Sequence, residues 1–340
     1  MRLATTLMYS GDPRAAADQV AGWERAGLDV IWVAEAYGFD APTVMGYLAA
    51  KTERVEIGSA ILPIYSRTPA LIAQTAAGLD AISGGRAILG LGASGPQVVE
   101  GWHGVPYDKP IARTREIIDI CRRVWHRDVI TQDGLYRLPL PDGQGTGLGK
   151  PLKILTHPVR PEIPVHVAAL GEANVRMTAE IADGWIPFLY VPERAADVWG
   201  KALADGYQKR TRPPLEIVAG GPLAIGDDVE HLRDLARPMI ALYVGGMGAK
   251  GRNFYHDVVS RYGFEAEADR IQELYLAGRK QEAAAAVPAE LLEQGSLIGP
   301  EPYVRDRIAA YRESGVTILN VAPLDRDPRA ALSKVKEMIS

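Results

Sequence analysis

The chain has 340 residues, 47% of them hydrophobic and 24% charged, with a formal net charge of −4. Those proportions exclude disorder, collagen and coiled coil, and the mild negative charge leaves no basic footprint for nucleic acid. The single cysteine, Cys121, rules out a disulfide framework and fits a reducing cytoplasm. No run approaches the ~18 apolar residues of a membrane span, and the apolar part of the opening MRLATTLMYSGDP is too short for a secretory signal. A soluble cytoplasmic protein without a membrane partner is expected.

Short β-rich runs alternate with longer helical stretches. Arg2 to Met8 reads as a buried strand, and Asp12-Pro13 opens a helix that Gly27 ends. The second strand is DVIWVAE (Asp29 to Glu35), followed by a helix over 42–51 and a third strand, VEIGSAI (Val55 to Ile61). Thr68-Pro69 starts the next helix, Gly84-Gly85 stops it, and RAILGL (Arg86 to Leu91) is the fourth strand. Further strands fall at Val165 to Ala169, Gly184 to Leu189, Leu215 to Gly221 and Thr317 to Pro323, with helices at 109–126, 171–182, 193–209 and 301–314. Apolar strands separated by helices predict a parallel sheet buried on both faces. The turn after the first strand reads YSGDP and lacks the GxGxxG of a dinucleotide fold. Eight successive βα units therefore favour the α/β class, as a single (β/α)8 TIM barrel over residues 1–340.

Two regions break the rhythm, at about 127–164 and 244–299. The first is rich in proline and glycine and reads as a hairpin (129–138) with a long irregular loop; the second opens with VGGMGAKGRNFYHD and reads as short helices. Both are expected after strands, on the face where barrels build active sites.

The chemistry-bearing residues are sparse. The six histidines show no metal-ligand spacing, so no metal is expected, and Cys121 sits mid-helix among apolar neighbours. Ser94 has Gly92 two residues before it, but Pro96 breaks a GxSxG nucleophile elbow. Gly90, Gly92 and Gly95 form either a tight turn or a loop that lets backbone approach a flat or phosphorylated ligand. The turn AALGEAN (Ala168 to Asn174) opens a helix whose free N–H groups suit an anion. GSAILPIYSRTP (Gly58 to Pro69) brings small residues to the end of the third strand.

The stretches GSAILPIYSRTPALIAQTAAGLDAISGGRAILGLG (58–92), KPIARTREII (109–118) and LGEANVRMTAEIADGW (170–185) resemble the bacterial luciferase-like superfamily, over nearly the whole chain. Within it the match is closest to the branch that uses the deazaflavin coenzyme F420, which includes methylenetetrahydromethanopterin reductase. The resemblance implies an oxidoreductase that transfers hydride between C5 of the deazaflavin and a small organic substrate. It implies a non-proline cis peptide at Ala60–Ile61 behind the cofactor's central ring. Gly92, Ala93 and Ser94 would lie near the ring and its side chain, and Leu170, Gly171, Ala173 and Asn174 would clamp the phosphate. Glu35 matches an acid beside the deazaflavin. Several relatives follow that acid with a catalytic histidine, whereas here Ala36 and Tyr37 follow, leaving Glu35 or Tyr37 to handle a proton. Segments 139–164 and 245–257 are expected to close over the mouth, with Lys250 and Arg252 meeting the cofactor's anionic tail. A homodimer through the helices at 42–51 and 68–82 is implied by family habit. Two other readings stay open: FMN with oxygen, as a luciferase-like monooxygenase, and a non-catalytic flavin-binding protein.

Overall fold

Eight parallel strands close into a ring because each is apolar on both faces and has no solvent-facing side to spare. The computed structural model describes residues 1–7, 11–248 and 250–340. The strands are β1 (Arg2–Thr6), β2 (Val30–Val33), β3 (Glu56–Ser59), β4 (Ala87–Gly92), β5 (Val165–Ala168), β6 (Gly184–Ile186), β7 (Glu216–Ala219) and β8 (Ile318–Asn320). Their order runs β3-β2-β1-β8-β7-β6-β5-β4, and pairing of Ile57 with Ala87 closes the barrel. Met8, the expected end of the first strand, lies outside the described residues.

The helices that follow the strands are α1 (Pro13–Arg25), α2 (Ala41–Lys51), α3 (Pro69–Ser83), α4 (Pro110–Trp125), α5 (Glu172–Ile181), α6 (Ala195–Tyr207), α7 (Glu301–Glu313) and α8 (Pro328–Ile339). The first three begin on side-chain caps: Asp12 accepts from Arg14 and Ala15, Asp40 from Thr43, and Thr68 from Leu71. Proline in each first turn costs no hydrogen bond, because that N–H would be unpaired anyway.

The barrel interior is small. Ala4, Val30, Trp32, Ile88, Val218 and Ile318 fill it, with Ala60 and Ile186 partly buried against them. Trp32 fits only because β3 carries Gly58, where an added Cβ would stand 2.2 Å from the indole. The main core lies between sheet and helices, where Trp125, Trp185 and Trp199 donate to the carbonyls of Ala73, Ala169 and Leu170. Among the described residues no helix is long and apolar enough to cross a membrane.

Several expected strands are shorter, for local reasons. The sixth stops before Pro187, which cannot donate to a ladder. The fourth starts at Ala87, because the Arg86 backbone N–H donates to Ser83 Oγ (3.2 Å) instead of to a ladder. The seventh and eighth break and resume, so that Pro222–Ile225 pairs with Leu297–Gly299 and Ala322–Pro323 in a separate sheet. The third likewise ends at Ser59, and Leu62–Pro63 then pairs with β4.

One expectation is overturned. Segment 127–164 follows α4 and precedes β5, so it lies at the N-terminal face, opposite the mouth. Its Arg160 binds Asp80 near the end of α3 (2.5 and 3.1 Å) and the carbonyl of Ala87 at the start of β4 (2.8 Å). It therefore cannot close over the C-terminal end. The expected hairpin shrinks to a short antiparallel ladder, Gln132–Asp133 with Arg137–Leu138. The second insertion does follow a strand end. It fills the chain between Ile225 and Leu297 with short helices, including 237–246, 254–259 and 265–276.

Candidate active site

The N-terminal face holds a cleft of about 300 Å³, but its charges are already spent on one another. Arg2 pairs with Glu56 and with Glu216, and Glu216 also meets the buried His166 at 3.1 Å. Arg212 joins Glu162 (3.0 Å) and Asp183 (2.8 Å). Such a self-paired floor reads as stability, whereas barrel chemistry sits at the strand C-termini.

At that opposite end the chain brings together the C-termini of four adjacent strands, β2 to β5, which are followed by Glu35 and Tyr37, by Ala60 and Ile61, by Ala93 and Ser94, and by the 170–174 turn. Glu35 follows β2 and is buried. One carboxylate oxygen binds Arg67 Nη1; the other accepts from Arg67 Nη2 at 2.8 Å and from the Ala41 N–H at 2.7 Å. Both oxygens are thus committed, to a guanidinium and to the first turn of α2, which makes Glu35 a positioning group. Sequence reasoning missed Arg67. Its signal was a lone arginine in the otherwise apolar and hydroxylic stretch ILPIYSRTP. Tyr37, two residues on, is 67% exposed at the rim.

After β3 the Ala60–Ile61 peptide bond is cis. The Ile61 side chain leans over β4, where a Cβ on Gly92 would stand 2.7 Å from it. Gly90 is equally constrained: an added Cβ would meet the Ser59 carbonyl oxygen at 1.7 Å. These two glycines let strands pack, and the part of the loop left accessible is the half-buried Ala93 and the exposed Ser94. Ser94 takes the left-handed backbone region (φ 58°) and is exposed, just before a short helix at Pro96–Gly101.

After β5 the first turn of α5 begins at Gly171 without a side-chain cap. The backbone N–H groups of that turn, Ala173 included, point outward unclaimed by any cap, and the dipole favours negative charge there. The Oδ1 of Asn174 is buried and has no partner among the described residues. Leu170 accepts the Trp199 indole N–H, which anchors the turn. Phe254, from the second insertion, crosses the same turn, its ring 2.9 Å from where a Cβ of Gly171 would be. Between them lies a cavity of about 490 Å³, lined also by His256 and Arg261. Lys250 and Arg252 are exposed on the neighbouring loop.

The far rim contributes what the sequence did not reveal. Phe188, beyond β6, meets Tyr243 and Tyr255 of the insertion at ring-centroid distances of 4.4 and 5.7 Å, and the two tyrosines lie 4.8 Å apart. Burial pushes both phenols above their ordinary pKa; Tyr37 nearby adds to the effect on Tyr243. They are neutral hydroxyls at working pH.

The luciferase-like monooxygenase family model matches residues 1–317. A Mycobacterium tuberculosis protein named "putative coenzyme F420-dependent oxidoreductase" is 43% identical over 329 residues, covering 94% of each chain. The 5,10-methylenetetrahydromethanopterin reductase of Archaeoglobus fulgidus is 26% identical and covers 93% of this chain and 92% of its own. In three dimensions the F420-dependent tetrahydromethanopterin reductase of Methanopyrus kandleri superposes with a TM-score of 0.81 at 22% identity, over 99% and 97% of the two chains. A barrel of this closure, with its small residues and uncapped helix at the strand C-termini and sequence similarity over nearly all its length, belongs to the luciferase-like monooxygenase family.

Proposed function

We propose that the chain is a coenzyme F420-dependent oxidoreductase acting on a small organic substrate. The observation that carries this reading is the 43% identity, over 94% of both chains, to a protein that bears that name. The residues at the mouth fit such a cofactor. Ala60 and Ala93 leave room for a flat ring against backbone, and the uncapped α5 turn offers N–H groups to a phosphate. The unpartnered Asn174 Oδ1 would take a hydroxyl of the cofactor's side chain. When bound, the deazaflavin exchanges hydride at C5.

The chain's own part is orientation and proton handling. Glu35, locked by Arg67, holds the β2 end and the first turn of α2 in place. Tyr37, next to it and exposed, is left as the proton-bearing side chain at that edge. Phe254 lies across the phosphate turn, and Lys250 and Arg252 beside it would meet the anionic tail. In this reading two copies pair through α2 and α3, where Leu71 and Ile82 are exposed.

Titrating the purified apo-protein with coenzyme F420 and with FMN, side by side, tests the assignment. The expected result is deazaflavin binding on the order of 1 μM or tighter, with FMN at least about tenfold weaker. Preference for FMN would move the chain to oxygen chemistry, and binding of neither would leave only the fold.

A further inference from the structure

The ring order sets β2 and β6 four places apart, directly across the barrel. Phe188 extends from β6, yet its partner Tyr243 lies within electrostatic reach of Tyr37, which extends from β2. The group of Phe188, Tyr243 and Tyr255 therefore stands at the mouth where the end of β6 meets the second insertion. It is not a piece of the main hydrophobic core, from which all three rings stand apart among the described residues. Nor are the phenols used by the fold: Tyr243 and Tyr255 are half-buried and neither hydroxyl has a hydrogen bond to a described residue, unlike those of Tyr190 and Tyr262, which reach backbone carbonyls.

The support beneath the rings is rigid. Asn253, 2% exposed, donates to the carbonyls of Tyr243 and Val244 (2.9 and 2.8 Å) and accepts from the N–H groups of Tyr255 and His256 (2.9 and 3.3 Å). One side chain thus ties both tyrosine-bearing helices together. Tyr262 donates to the Leu189 carbonyl at 2.9 Å, beside a left-handed Leu189 (φ 55°), and so holds the Phe188 turn.

We propose that Phe188, Tyr243 and Tyr255 form the substrate subsite, a roof selective for a flat, apolar ring or unsaturated chain carrying one hydrogen-bond acceptor, which the two free phenols receive. Edge-to-face and tilted rings gain most from another flat ring, and a neutral phenol donates to a carbonyl-type oxygen. The inference rests on the oxidoreductase reading only in calling this ligand the substrate.

The test uses two probes of equal carbon count and the same headgroup: acetophenone, which is flat, and cyclohexyl methyl ketone, which is not. Calorimetric titration of the wild-type protein and of Tyr243→Leu, Tyr255→Leu and Tyr243→Phe is paired with coenzyme F420 titration of the same samples and with melting curves that establish folding. Acetophenone is expected to bind the wild type about tenfold more tightly, a preference most of which either leucine variant abolishes. Tyr243→Phe is expected to keep the ring preference but weaken both ketones alike. Coenzyme affinity should stay within about twofold throughout. Equal binding of the two ketones to the wild type would overturn the proposal, as would leucine variants that lose F420 while the ketone preference persists. If F420 fails to bind the wild type while the preference holds, the cofactor assignment fails and the roof stands.

Discussion

Glu35 and Arg67 show how one pair decides the role of a residue. Their side chains are only 6% and 13% exposed, so each charge depends on the other for its solvation. Removing one partner of a buried pair costs far more than removing both, because a bare charge is left behind. Arg67→Met is expected to destabilise the fold by about 3–5 kcal/mol in urea unfolding, and adding Glu35→Gln should recover a good part of it. A loss below about 1 kcal/mol for the single variant would show the pair to be solvated after all. The acid itself was legible from its place after the second strand, as an expectation drawn from resemblance. Its commitment was not, because the arginine that claims it lies 32 residues away in the chain.

Elements here are fastened to one another by carboxylates spent on backbone. Glu24, near the end of α1, accepts from the N–H groups of Glu53, Arg54 and Val55 at 3.0, 2.6 and 2.7 Å, which anchors the turn before β3. Burial alone would raise its pKa, but the three N–H donors outweigh it and hold the carboxyl below its ordinary 4.5. A carboxyl with a depressed folded-state pKa adds stability above its unfolded pKa and loses it as the pH falls through the lower folded value. Glu24→Gln should therefore cost about 1–2 kcal/mol at neutral pH. The gap to wild type should close below about pH 4.5. A gap that stayed constant from pH 7 to pH 3 would assign the loss to packing instead. The starts of α1 and α3 were readable from the Asp12-Pro13 and Thr68-Pro69 pairs, since capping is local chemistry. The interruptions of the third, seventh and eighth strands were not, because they depend on which strand lies alongside.

Across the whole barrel, the candidate site and the self-paired floor occupy opposite ends. The proline- and glycine-rich segment after α4 is bound to the floor through Arg160, the end remote from the mouth. Replacing residues 141–149 with a short Gly-Ser link is expected to leave F420 affinity within about twofold, since distant sites act independently. A tenfold loss would mean that the segment reaches the mouth by another route, for instance from a second copy. The opposite insertion, between Ile225 and Leu297, supplies Tyr243, Tyr255 and Phe254, and in the proposed reading is the part that a change of substrate would remodel.

Alternation of apolar runs with capped helices and the count of eight were enough, by themselves, to determine the barrel. Those features are encoded by neighbouring residues, where hydrophobic periodicity and cap chemistry operate. Only the tertiary structure decided which insertion overhangs the mouth, that Gly90 and Gly92 serve strand packing, and that Phe188, Tyr243 and Tyr255 converge. Each of these is a contact between segments distant in the chain, set by ring closure and strand order rather than by any local preference.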